Sequence, residues 1–199
     1  MNETTRQLIA HKVKHNTKRL ITSIKWVIFS IVVGIVAGSC GTAFYFALSV
    51  VTDFRMKYPW LIYFLPIGGL AIVGLYHLCK DDNDTGTNLV ISAIHSGDKV
   101  PFIMAPLIFV STLITHLFGG SAGREGAALQ MGGSIGSSIG RVFRFDEKDK
   151  HVMIMCGMSA AFSALFGTPM AAAIFSMEMI SVGVMYYIAL VPCVISSLI

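Results

Sequence analysis

Charge is what this sequence has least of. Only 13% of its 199 residues are Asp, Glu, Lys or Arg, against 54% hydrophobic, where a soluble domain carries about 25% charged residues. Mean hydropathy is +0.70. Residues 26–52, 58–79, 100–123, 151–177 and 179–199 contain no charged side chain at all. A bilayer core about 30 Å thick takes roughly 20 mainly apolar residues per helical span, so these runs exclude a soluble globular domain and predict an all-α polytopic membrane protein. Metal-ligand patterns are also missing. Cys40, Cys79, Cys156 and Cys193 are widely spaced, and the six histidines include no HExxH or paired spacing, so neither a metal nor a cofactor is expected. The cysteines read as small core residues. A membrane-embedded enzyme would need a nucleophile or metal ligands beside its base; none is visible, and no enzymatic activity is expected.

Acidic residues are scarcest at the start. The first 25 residues hold Glu3 against Arg6, Lys12, Lys14, Lys18, Arg19 and Lys25. That flank is too long and polar to be a signal peptide, and its basic excess predicts a cytoplasmic N-terminus. The net charge of +4 gathers at this membrane flank, so a nucleic-acid partner is not expected. Residues 4–19 alternate apolar and basic positions at helical spacing, which predicts an amphipathic helix over 1–20 on the inner membrane surface. The membrane region proper is then 21–199.

Within it, Gly34 and Gly38 form a GxxxG pair suited to close helix approach. Asp53, Arg55 and Lys57 precede Pro59, and a second span is predicted over 60–79, distorted by Pro66, Gly68 and Gly69. An acidic turn at 80–84 leads to a short apolar segment, 86–95, that cannot cross a bilayer alone. Pro101 opens a helix to Phe118. A glycine-rich loop, Gly119 to Gly133, carries adjacent Arg124 and Glu125, and a short helix runs on to Gly140. Residues 141–150 read as a charged loop, and two apolar segments follow, broken at Thr168-Pro169 and Glu178. Short, glycine-interrupted segments among full spans point to broken helices, which are tolerated at membrane depth where protein buries them or they line a cavity.

Two such helix starts stand out, near Thr85–Asn88 and near Gly123–Ala127. A helix N-terminus offers unpaired N–H groups and about half a positive charge, glycine admits an ion to the backbone, and Thr85 or Thr87 adds a hydroxyl donor. Two such ends meeting in one cavity would hold a small anion without a buried lysine. Glu125 has two readings. As a carboxylate at membrane depth it is a functional candidate, able to occupy the anion site as a tethered competitor until a proton releases it. Alternatively it pairs with Arg124 and holds the loop together.

The run GGSAGREGAALQMGGSIGSSIG resembles the signature of the CLC family of chloride channels and proton-coupled anion transporters, a GREGP motif followed by Q-x-G-x-x-I-G. Ala127 stands where proline is usual. AAFSALFGTPMAAAIFSMEM is similar to the family's AAFNAPLAGILFxxE segment, with Pro169 and Phe175 in register. The resemblance implies the first inverted-repeat half of a CLC fold, with tilted and re-entrant helices. It implies transport of chloride by a voltage-gated channel or anion/proton antiporter, with Glu125 as gate and Gly123, Arg124, Gly126 and Ala127 lining the anion site. The alternatives are a fluoride/proton antiporter of the family's fluoride branch, or a non-conducting fragment.

Three departures from the family follow. The first anion loop, usually GSGIP, is here Asp84-Thr85-Gly86-Thr87-Asn88; Thr85 or Thr87 stands for the coordinating serine, Thr85 being preferred because it keeps Gly86 in place. The internal glutamate of the exchangers aligns with Met179, one position after Glu178. Glu178 is then either a displaced internal proton acceptor or an ordinary helix-end charge. The chain stops inside an apolar segment at Ile199, so it reads as truncated, without the second half that completes the family's site. The resemblance also implies a homodimer in the plasma membrane, with 169–199 contributing to the contact, and chloride or fluoride, protons and lipid as partners.

Overall fold

The computed structural model describes residues 3–79, Val90, 100–179 and 186–199, with side chains from Thr22 onward. Every regular element among them is helical. Helix α1 runs unbroken from Glu3 to Lys57. The sequence expectation of a separate surface helix over 1–20 differs from this: no Gly or Pro lies between Glu3 and Gly34 to end a helix, and the chain passes directly into the span. Pro59–Phe64 forms a 3-10 turn, and α2 (Leu65–Leu78) follows with Pro66 in its first turn. Proline there lacks only an N–H that would have had no partner, so the predicted distortion sits at the helix entrance rather than within the span.

Helices α3 (Met104–Leu117), α4 (Arg124–Val142), α5 (Glu147–Phe166), α6 (Pro169–Glu178) and α7 (Leu190–Leu198) complete the chain. The expected charged loop over 141–150 is a tight connection instead. Arg141 and Val142 finish α4, and Glu147 to Lys150 form the first turn of α5. Asp146 caps that turn, its Oδ1 accepting from the Asp149 N–H at 2.9 Å. Acidic residues at a helix start complement its dipole, which is why this charge cluster is helical. Lys150 donates to Glu147 at 2.7 Å and holds that carboxyl below its usual range. At the other end, Gly167 takes φ +68°, a left-handed cap that suits glycine, and Pro169 starts α6 at the break expected there.

Helix α5 is the centre. It packs on α4, α1, α6 and α7, and is buried from Val152 to Ala161. Its approach to α4 is backbone on backbone: a Cβ on Gly157 would meet the Gly132 carbonyl, and one on Gly136 the Met153 carbonyl. Met131, Met153, Met155 and Met158 fill the space around this crossing. The GxxxG expectation for α1 is corrected in register. Gly34 lies where a Cβ would sit 2.9 Å from the Ser196 carbonyl oxygen, and Gly41 where it would sit 2.9 Å from that of Ala161, whereas Gly38 has nothing within 4 Å. The pair in close contact is thus i, i+7, because α1 meets α7 through one turn and α5 through another.

The seam between α5 and α7 is laced by hydroxyls. Ser159 donates to the Cys193 carbonyl at 3.0 Å, Ser163 to Ser197 at 2.7 Å, and Ser196 to Cys156 at 3.0 Å. Away from this core, apolar side chains face outward. Helix α2 buries only Gly68, while Leu70, Val73 and Leu78 are exposed. Thr22–Lys57 and Pro59–Leu78 are both long and apolar enough to cross a membrane, with outward Ile28, Ile35 and Val50 on α1. Lys25 pairs with Asp149 at 2.5 Å and lies 4.4 Å from the Phe145 ring centre, joining the start of the α1 span to α5.

Candidate functional site

The glycine-rich loop ends at the head of α4. Gly119, with φ +79°, turns the chain out of α3, and the Gly120 N–H closes the turn onto the Thr115 carbonyl at 2.8 Å. Gly123 is the N-cap of α4, in extended conformation and without a side chain to cap the helix. Arg124 and Glu125 follow in its first turn, both exposed. Neither makes a hydrogen bond or ion pair among the described residues, so the reading in which Glu125 is locked to Arg124 is not the arrangement present. Among the described residues, the first N–H groups of α4 have no side-chain cap and carry the positive end of the helix dipole. A carboxylate in that turn is stabilised by a few tenths to about 1 kcal/mol, and a diffusible anion would be attracted to the same place.

Two cavities flank this helix start. One, of about 400 Å³, opens between α1, α3 and α4 and is lined by Tyr45, Ser49, Thr52, Asp53, His116 and Arg124. The other, of about 340 Å³, lies between α2, α3 and α4, against Tyr76, Ser111, Thr112, Gly123, Gly126, Ala127 and Gln130. Gly123, Gly126 and Ala127 therefore present one side of the helix start to a polar space, with Ala127 itself buried. Sequence reasoning passed over Asp53 and His116. The available signal was a lone ionisable group inside the apolar run 100–123 and another at the end of 26–52.

Thr85, Gly86 and Thr87 lie outside the described residues. Glu178 is the last residue of α6 and exposed, and Met179 is its half-buried C-cap. Neither lines the cavities beside α4. Among the described residues no group of three or more His, Cys, Asp or Glu could hold a metal ion.

Helices interrupted beside a glycine-rich helix start, with apolar flanks facing outward, describe a helical membrane protein with broken helices. Comparison with known proteins narrows the class. Residues 68–199 match the voltage gated chloride channel family. The chain is 42% identical over 176 residues to a chloride/fluoride channel protein of Pseudomonas syringae pv. tomato, covering 88% of this chain and 39% of that protein. It is 27% identical over 172 residues to an H(+)/Cl(-) exchange transporter of Vibrio campbellii, covering 79% and 37%. Among solved structures, a CLC-type fluoride/proton antiporter superposes with a TM-score of 0.81 at 38% identity, covering 87% of this chain and 44% of that one. A slow cyanobacterial Cl-/H+ antiporter shares the fold at a TM-score of 0.68 and 24% identity, covering 87% and 45%. The chain belongs to the CLC, or voltage gated chloride channel, family. It spans about two fifths of the length of these curated relatives.

Proposed function

We propose that this chain supplies the gate-bearing part of a CLC-type halide transporter in which Glu125 is the proton-sensitive gate. The observation that carries the reading is the position of Glu125. Among the described residues it is an unpaired carboxylate in the first turn of a helix whose N-cap makes no side-chain hydrogen bond, and its neighbours Arg124 and Gly126 each line one of two polar cavities. Charged, it competes with a mobile anion for the helix end; protonated, it loses that attraction and yields the place. Gly123, Arg124, Gly126 and Ala127 shape this anion site from one side. Thr85, Gly86 and Thr87 are proposed as further anion-binding residues on the likeness of their sequence to the family's first anion loop.

Fluoride is the favoured anion and chloride the second. The two relatives with 42% and 38% identity are a chloride/fluoride channel protein and a fluoride/proton antiporter, whereas the chloride/proton exchangers stand at 27% and 24%. Exchange with protons is the reading supported by the 38% identity to a fluoride/proton antiporter, with Glu178 as the candidate for the internal proton path; the 42% identity to a chloride/fluoride channel protein supports a channel as the second reading. The protein works as a homodimer in the cell membrane with its N-terminus in the cytoplasm, an orientation supported by the basic flank of α1.

The test is a full-length protein containing this chain, reconstituted into liposomes loaded with fluoride or chloride, with anion efflux and proton uptake recorded together. Fluoride efflux coupled to proton uptake, with coupling abolished in Glu125→Gln, is the expected result. Unchanged coupled transport in Glu125→Gln would remove Glu125 from the gate. Chloride efflux without proton movement would replace the exchanger with a channel.

A further inference from the structure

The cleft that shares Arg124 with the head of α4 gathers three ionisable groups remote in sequence. Asp53 comes from the end of α1, His116 from the last turn of α3 and Arg124 from the first turn of α4. None of the three is ion-paired among the described residues. One contact orients the imidazole. His116 Nδ1 lies 2.9 Å from the Thr112 carbonyl oxygen, an atom that can only accept, so Nδ1 donates there and Nε2 is the nitrogen that gains or loses a proton. A cavity of about 400 Å³ with hydroxyl, carboxylate and guanidinium lining is roomy and polar enough for water, through which Nε2 can exchange a proton.

Among the described residues, α1, α4 and α2 pack on α3 and carry other ionisable groups. From α1, Tyr45 and Asp53 line the cleft, and Arg55 lies against the Gly119 turn. From α4 come Arg124 and its neighbour Glu125. Helix α2 carries Tyr76 and His77. With Asp53 and Arg124 charged and opposite, the cleft is balanced while His116 is neutral and gains a net positive charge when it is protonated. Imidazole is the side chain whose charge ordinarily changes near neutral pH.

We infer that His116 is a proton-binding site that tunes the gate: a proton taken up at Nε2 adds positive charge beside Arg124, at the head of the helix that carries Glu125. The inference rests on the reading of Glu125 as the gate. A positive charge nearby favours the carboxylate over the carboxylic acid, so a charged His116 makes Glu125 harder to protonate. The two protons oppose one another, and the gate's response to acid is spread over a wider pH range than one carboxyl alone would give. Coupling between sites is reciprocal, so the charged gate must make His116 easier to protonate by the same factor.

Two measurements on the full-length protein test this. The first is coupled anion efflux against external pH, for the parent and for His116→Asn, whose amide keeps a donor near the Thr112 carbonyl. The second is the titration of His116 followed by NMR of ring-labelled histidine, in the parent and in Glu125→Gln, with His77 as internal control. Loss of the imidazole should move the gating midpoint to higher pH by about fivefold in proton concentration, the low end of usual couplings. Neutralising the gate should move the His116 midpoint to lower pH by the same factor and leave His77 in place. An unmoved His116 midpoint in Glu125→Gln overturns the proposal, and so does an unshifted transport profile in His116→Asn. If Glu125→Gln transports with normal coupling, the gate reading itself fails, a result that the His116 titration does not mimic.

Discussion

Replacing Gly157 by alanine tests the central packing of the molecule at one atom. The added Cβ would fall on the carbonyl oxygen of Gly132 and within 3.1 Å of the Gly136 nitrogen. Both obstacles are backbone, so no rotamer change can clear them. Helices α4 and α5 must part, and a gap of about 0.5–1 Å forfeits a quarter to a half of each dispersion contact along the seam. Leu129, Met131, Ile135, Met153, Ile154 and Met158 are all buried beside it and lose contacts together. Overpacking a well-filled core costs typically about 1–3 kcal/mol, and backbone obstacles place this case at the upper end. Gly69→Ala is the matched control: it adds the same methyl to α2, where nothing lies within 4 Å. There the higher helix propensity of alanine gives a gain of up to about 1 kcal/mol. Thermal unfolding of the purified full-length protein in detergent, followed by intrinsic fluorescence, should show Gly157→Ala melting at least about 3 °C lower and Gly69→Ala level or higher. Equal melting of Gly157→Ala and parent would mean that α4 and α5 do not cross at the distance described.

Two further expectations concern single hydrogen bonds. Asp146→Ala removes the cap of α5 and should cost about 0.5–2 kcal/mol, with Asp146→Asn retaining most of the stability, as read by the same melting assay. Ser196→Ala deletes a hydroxyl that bonds the Cys156 carbonyl across the α5–α7 seam. Interhelical hydrogen bonds in membranes average about 0.6 kcal/mol, so a fall in melting temperature smaller than that of Gly157→Ala is expected, and a larger one would refute the additive view of the seam.

What was legible in the sequence was whatever depends on local chemistry. Charge-free runs marked the apolar helices, and Thr168-Pro169 marked the break between α5 and α6. The GREG run placed Glu125 in the first turn of α4 because an extended Gly123 leaves the helix to begin at Arg124. What failed was whatever depends on a neighbour. Gly34 and Gly38 satisfy a spacing rule, yet contact geometry selects Gly34 and Gly41, since α7 and α5 cross α1 at different heights. The charges of 141–150 look like a loop until Asp146 is seen capping a helix that uses Glu147 and Asp149 in its first turn. The cleft beside the head of α4 was invisible for the same reason. Asp53, His116 and Arg124 become neighbours only when α1, α3 and α4 are packed.

The hydroxyl seam of α5 and α7 has a bearing on how such a molecule can move. Apolar helix faces in hydrocarbon slide past one another with little to mark one position from the next. Ser159, Ser163 and Ser196 each point at a particular carbonyl on the opposite helix, and a shift by one residue would break all three bonds at once, leaving Ser196 only the Cys193 carbonyl of its own helix. The seam therefore behaves as a toothed rack in mesh. Helix α7 can tilt with α5 but resists creeping along it, and any rearrangement is taken up elsewhere among the described helices.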